Sequence, residues 1–183
     1  MKSTQALGFK DVRTDANDTN VMSGVQAQDR RAFEKLYLTY YGTLARFLAR
    51  FVAPTSAAEE IIDDTFMTIC NCAMEFRGES RVAAWIFAIL YRTAIQSMEP
   101  SRLRGRLPFA GIFRRHDSEF ASENPYNDRF DRRLNRLPLE KRVTLALAYQ
   151  MGFSIDEIAT ITQVAPATVE MRMNHARRDL RDN

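Results

Sequence analysis

Ser154-Ile155-Asp156-Glu157 sets a hydroxyl and a carboxylate three residues apart, the pattern of a reciprocal helix cap. A short helix from Ile155 to Thr162 follows, then a turn at Gln163-Val164-Ala165 and a last helix opened by Pro166. Two helices joined this way read as a helix-turn-helix, whose second helix fits the major groove. Its outward positions are Ala167, Glu170, Met171, Asn174 and His175, with Thr168 in the first turn. Asn174 has the edge to read adenine and Glu170 to accept from cytosine. Arg172, Arg177, Arg178 and Arg181 supply cationic reach to phosphate. The plainer reading is a helical hairpin with a charged, solvated face.

A second group is Phe76-Arg77-Gly78-Glu79-Ser80, followed by Trp85, Phe87 and Tyr91. Aromatic faces stack unpaired bases and arginines hold the strand, although aromatics at helical spacing usually form core. A third is the acidic cluster Glu59, Glu60, Asp63 and Asp64. Acids at helical spacing with no other ligand type nearby fit a solvated or partner-binding face better than a metal site. Cys70 and Cys72 have the wrong spacing for a zinc knuckle and read as packing. No Ser/His/Asp set, catalytic carboxylate pair or Gly-rich phosphate loop can be assembled, so neither an enzyme nor a cofactor or metal is expected.

Composition sets the frame for these groups. Of 183 residues, 45% are hydrophobic and 27% charged, as in a globular protein. No apolar run is long enough to cross a bilayer. The polar start is not a secretory signal, and two cysteines exclude a disulfide framework, so a cytoplasmic location is expected. The net charge of +3 says little, but 22 of the 26 basic residues are arginine, which suits phosphate contacts.

Few glycines and prolines, and no alternating β-branched runs, predict an all-α protein. Residues 1–28 have no apolar period and read as a flexible tail, with Met22 an alternative start. From Asp29, the positions Phe33, Leu36, Tyr37, Tyr40, Leu44, Phe47, Leu48 and Phe51 follow one helical face. Thr55 or Ser56 is expected to cap the next helix, and each is a candidate phosphorylation point. That helix turns Ala58, Ile61, Ile62, Thr65, Ile69, Cys72, Ala73 and Phe76 inward. A third helix, from about Val82 to Met98, has Trp85, Ile86, Ile89 and Ile95 as core candidates. Residues 99–130 carry prolines, glycines and five arginines between Arg102 and Arg115, and read as a flexible linker. The last part, 131–183, is helical again, with Pro138 in a first turn and Val143, Ala146, Leu147 and Gln150 on one face.

Two sets of these residues resemble a known family. Asp29-Arg-Arg-Ala-Phe-Glu-Lys-Leu-Tyr37, Ala58 through Phe66, Phe76-Arg-Gly-Glu-Ser80 and Trp85-Ile86 look like region 2 of bacterial extracytoplasmic-function (ECF) sigma factors, small members of the sigma-70 family. Leu137 through Arg142, Gly152 through Ala159, Thr168-Val169 and Ala176-Arg177 look like region 4. The resemblance implies two small helical domains, 29–98 and 131–183, joined by the linker. It implies an RNA polymerase sigma factor that directs promoter recognition and transcription initiation. Region 2 would dock on the beta-prime clamp helices of core RNA polymerase, melt the −10 element and capture a flipped base. Region 4 would read the −35 duplex and sit on the beta flap. Glu59, Glu60, Ile62, Asp63, Asp64 and Phe66 would lie in the polymerase-binding stretch. Phe76, Arg77, Gly78, Glu79, Ser80 and Arg81 would form the −10 loop, backed by Trp85, Phe87, Tyr91 and Arg92. Thr168, Glu170, Met171, Arg172, Asn174, His175, Arg177 and Arg178 would serve the −35 element. Promoter DNA and an anti-sigma factor are the further partners the family implies, with no membrane insertion.

The chain departs from the family pattern at several of these positions. Asp63-Asp64 stands where Gln-Glu is usual, Arg92 and Gln96 where an asparagine and an aspartate are usual. Glu170, Met171 and His175 replace a cation, a serine and an arginine. Fewer cations on that helix change the sequence read and lower nonspecific affinity. Two rivals therefore stay open: a helix-turn-helix regulator that does not engage polymerase, and a sigma-derived protein-interaction module.

Overall fold

A computed structural model describes residues 15–52, 54–97 and 134–182, and these residues are helical throughout apart from short connections. The linker, 99–130, lies outside the described residues. Seven α-helices are described: α1 (Asp15–Gln26), α2 (Arg30–Leu48), α3 (Thr55–Cys72), α4 (Val82–Ser97), α5 (Leu139–Tyr149), α6 (Ile155–Thr162) and α7 (Pro166–Asp182). A 3-10 turn, Ala73–Glu75, continues α3.

The N-terminal tail is corrected over its second half. Residues 15–26 are helix α1, with Val21, Met22 and Val25 buried and Met22 fully so. Three apolar residues within five positions are too few to show a period, and α1 is held by what it packs against. The Tyr40 hydroxyl on α2 donates to Asp18 at 2.6 Å. At the start of α2, Asp29 accepts from the Arg31 N–H at 2.9 Å, an N-cap. Leu36, Tyr40, Leu44, Phe47 and Leu48 bury the face the spacing predicts, with Phe51 just beyond, while Phe33 and Tyr37 stay half-buried at its edge.

Two boundary details differ from the sequence expectation. Pro54, in extended backbone, is the N-cap of α3, and no side chain closes that end, so Thr55 and Ser56 do not cap it. Pro138 is likewise the N-cap of α5 rather than part of its first turn. On α4 the buried face is Val82, Ala83, Ala84, Ile86, Phe87, Ile89, Leu90 and Ala94. Ile95 falls one step off that face and is 39% exposed.

The capping box is formed as expected. The Glu157 N–H donates to Ser154 Oγ at 3.3 Å, and the Ser154 N–H to Glu157 Oε2 at 2.8 Å. Gln163 ends α6 with φ +56°, a left-handed residue that turns the chain into α7. Val169, Met173 and Ala176 are the buried stripe of α7. Lys141 on α5 pairs with Asp179 on α7 at 2.7 Å.

Helices α1 to α4 form one bundle, and α5 to α7 pack on it through α4 and α6. The core is continuous across this junction. Phe87 of α4 meets Phe47 at 5.2 Å and Phe153, just before α6, at 5.1 Å, both edge-on. Each such large apolar side chain removed from water contributes about 1.5–3 kcal/mol. Arg142 lies over the Phe51 ring at 5.9 Å on the same seam.

Candidate nucleic-acid interface

On α7, the periodicity that buries Val169, Met173 and Ala176 turns Ala167, Glu170, Met171, Asn174, His175, Arg178 and Arg181 outward. This is the surface the helix-turn-helix reading requires. Thr168 and Arg172 are half-buried beside it. Arg172 faces the α4 side, close enough to Tyr91 to act on its hydroxyl. Burial pushes the Tyr91 pKa up, with Arg172 opposing and Glu140 reinforcing that shift. Arg177 is exposed but directed: its Nε and Nη2 donate to Tyr149 Oη at 2.9 and 2.6 Å. Sequence reasoning missed Tyr149, whose partner lies 28 positions away.

The loop after α3 divides its residues differently from the sequence expectation. Arg77, Gly78 and Glu79 are exposed and Ser80 is half-buried. Gly78 has φ +74°, a conformation that L side chains rarely adopt, so the turn itself requires glycine. Phe76 is buried, its ring 5.4 Å from Trp85. Phe87 is 1% exposed, enclosed by Phe47 and Phe153. In this packed arrangement neither ring is open to stack a base. Trp85 and Tyr91 are half-buried and Arg92 is exposed.

Arg81, at the loop's far end, donates through Nε and Nη2 to both carboxylate oxygens of Glu157 and lies 5.3 Å from the centre of the Phe153 ring. Burial raises the Glu157 pKa. The hydrogen bonds from Arg81 and from Ser154, with the Arg81 charge, more than offset this and hold it below the usual carboxylate range. Gln26, at the end of α1, donates from Nε2 to Ala73 O at 3.1 Å and to Phe76 O at 2.8 Å. Nothing in the sequence signalled Gln26, which sits in a stretch without an apolar period.

On α3, Glu59, Asp63 and Asp64 are exposed and Glu60 is half-buried, so the acidic cluster forms one surface with the 63% exposed Met67 beside it. Ile62 and Phe66 point the other way. Ile62 is fully buried, and Phe66 packs on Tyr37 at 4.6 Å and Phe33 at 6.1 Å. Both side chains lie beneath the acidic face rather than on it. Cys70 is exposed and Cys72 half-buried; burial pushes both thiols up. Among the described residues no group of three or more His, Cys, Asp or Glu could hold a metal ion, and no helix is long and apolar enough to cross a membrane.

Two family models match this chain. A family model described as Sigma-70 region 2 matches residues 36–102, and one described as Sigma-70, region 4 matches residues 127–180. The chain is 28% identical over 180 residues to the RNA polymerase sigma-H factor of Pseudomonas aeruginosa, covering 90% of this chain and 92% of that protein. It is 27% identical over 173 residues to the ECF RNA polymerase sigma factor SigM of Mycobacterium tuberculosis, covering 94% and 86%. Among solved structures it resembles the sigma factor RpoE in complex with the anti-sigma factor NepR from Bartonella quintana. That match has a TM-score of 0.61 and 27% identity, over 82% of this chain and 94% of that one. CnrH, solved with the cytosolic domain of CnrY, shares the fold with a TM-score of 0.65 at 20% identity, over 90% and 95%.

Proposed function

The chain belongs to the sigma-70 family and is an ECF-type RNA polymerase sigma factor for promoter recognition, and on that premise we propose how its surfaces divide the work. The acidic face of α3, Glu59, Glu60, Asp63 and Asp64, docks on the beta-prime clamp helices of core polymerase, held flat by Ile62 and Phe66 beneath it. Arg77, Gly78, Glu79 and Ser80 meet the −10 element, with Arg92 and the exposed edge of Trp85 beside them. The outward face of α7 reads the −35 duplex, Asn174 and Glu170 at base edges and Arg178 on phosphate. Unstacking a base costs a few kcal/mol, which contacts made by the loop must offset. The protein itself binds and positions; the chemistry of transcription is the polymerase's.

The carrying observation is that one chain presents an acidic helix face, a glycine-turned exposed loop and a capped helix-turn-helix with an open second helix. The region 2 match also accounts for the 58–66 motif, which a plain helix-turn-helix regulator leaves unexplained. The test is reconstitution with purified core polymerase. A stable complex and transcription from a genomic promoter library are expected, and Asp63→Lys with Asp64→Lys together should weaken the complex at least about tenfold, as for reversed charges at an interface. Absence of both complex and transcription in the wild type overturns the assignment. An anti-sigma partner in the cytoplasm is proposed by likeness to the RpoE that was solved with NepR.

A further inference from the structure

Resting on the assignment of residues 76–81 as the −10 loop, we propose that Gln26 is a positioning residue for that loop, setting where Arg77 to Ser80 meet a base. Its amide reaches two carbonyls 47 and 50 positions away, Ala73 O at 3.1 Å and Phe76 O at 2.8 Å. Both partners are acceptors, so only the NH2 end of Gln26 satisfies them, and both of its protons are engaged. Ala73 O also accepts the closing bond of the 3-10 turn from the Phe76 N–H at 3.1 Å, and Phe76 O lies just past that turn, so Gln26 ties the turn's last bond to the first residue of the loop.

The side chain that holds them is itself fixed. Gln26 is the last residue of α1, half-buried, and α1 is anchored by fully buried Met22, by Val21 and Val25, and by the Asp18–Tyr40 hydrogen bond. Phe76 is clamped on its ring by Trp85 and on its carbonyl by Gln26, and the exposed residues begin immediately after it. The other end of the loop is held through Arg81 by Glu157, which belongs to the C-terminal half. Gln26 belongs to the same bundle as the loop, so its hold persists if the halves separate.

The test uses holoenzyme assembled from core polymerase and the full chain, transcribing a library with randomised −10 and −35 segments; the wild-type protein defines the preferences at each. Gln26→Met keeps the side-chain length and removes the donor. It removes both hydrogen bonds and is expected to flatten the −10 preference at least about fivefold, the size of either one alone, with the −35 preference unchanged. A purely structural loss of active protein scales all promoters together and leaves both ratios where they were. Gln26→Lys restores a donor and should keep most of the −10 preference. Should Gln26→Met fail to fold, Gln26→Asn, with the amide one methylene short, carries the same expectation. An unchanged −10 profile, or equal flattening at both elements, overturns the proposal. A wild-type protein that transcribes no library member overturns instead the sigma-factor reading beneath it, before any substitution is made.

Discussion

Glu157 closes the cap of α6 on Ser154 and pairs with Arg81 across the junction of the two halves. Its pKa is lower in the folded chain than in the unfolded one, so the unfolded state binds the proton more readily. The stabilisation is fully present above the unfolded carboxylate's ordinary range and is lost as pH falls through the lower, folded value. Denaturant midpoints taken from neutral to acid pH should fall more steeply for the wild type than for Glu157→Gln; equal slopes would show that the pair contributes nothing. Phe87 is a different case, since the motif placed it near DNA and the structure places it between Phe47 and Phe153. Phe87→Ala should cost about 3–5 kcal/mol in chemical denaturation. Phe87→Leu, which keeps most of the volume, should fold and still transcribe. A Leu variant that folds, binds polymerase and opens no promoter would return Phe87 to the DNA surface.

Met22 shows what an element owes to its neighbours. It lies in α1 with no exposed surface, yet α1 has a weak apolar pattern and none of the marks of a helix that stands alone. Met22→Ala should therefore cost about 2–5 kcal/mol, read as a shift in the urea midpoint; a shift of a few tenths would mean that α1 is a surface ornament. The other helices were legible in the sequence because their signals are local. Ser154 and Glu157 cap α6, Pro166 opens α7, and the apolar period over Leu36 to Leu48 marks a buried face of α2. The candidate site was legible as membership of a motif but not as direction. Ile62, Phe66, Phe76 and Phe87 lie within stretches that match region 2 yet point into the core, because a motif conserves the support of a surface along with the surface. Gln26, Tyr149 and the Arg81–Glu157 pair were not legible because each depends on a contact between residues 28 to 76 positions apart, which no local pattern encodes.

At the scale of the molecule, the packing of α6 on α4 conflicts with simultaneous reading of both promoter elements. By their numbering, the −10 and −35 elements lie 25 base pairs apart, about 85 Å of duplex at about 3.4 Å per step. A compact chain of this length has a radius of gyration of about 16 Å and is about 40 Å across. With Phe87 against Phe153 and Arg81 on Glu157, the loop of residues 76–81, proposed to meet the −10 element, and α7 belong to one such body. The 32 residues of 99–130 bound the distance between the halves to about 105 Å by chain length alone. Separation exposes Phe87 and Phe153 to water, so it requires polymerase and promoter contacts that offset the loss. Fluorescence donors and acceptors on Leu38→Cys in α2 and Thr160→Cys in α6, both exposed positions, would follow it once Cys70 and Cys72 are replaced by serine. Transfer should be high in the free chain and fall sharply when core polymerase is added. Glu157→Gln should lower the polymerase concentration at which it falls, because the closed state then lacks its ion pair. Transfer that stays high in a holoenzyme active at promoters would mean that both elements are read by the closed body, and that the path of the DNA, rather than the protein, supplies the missing distance.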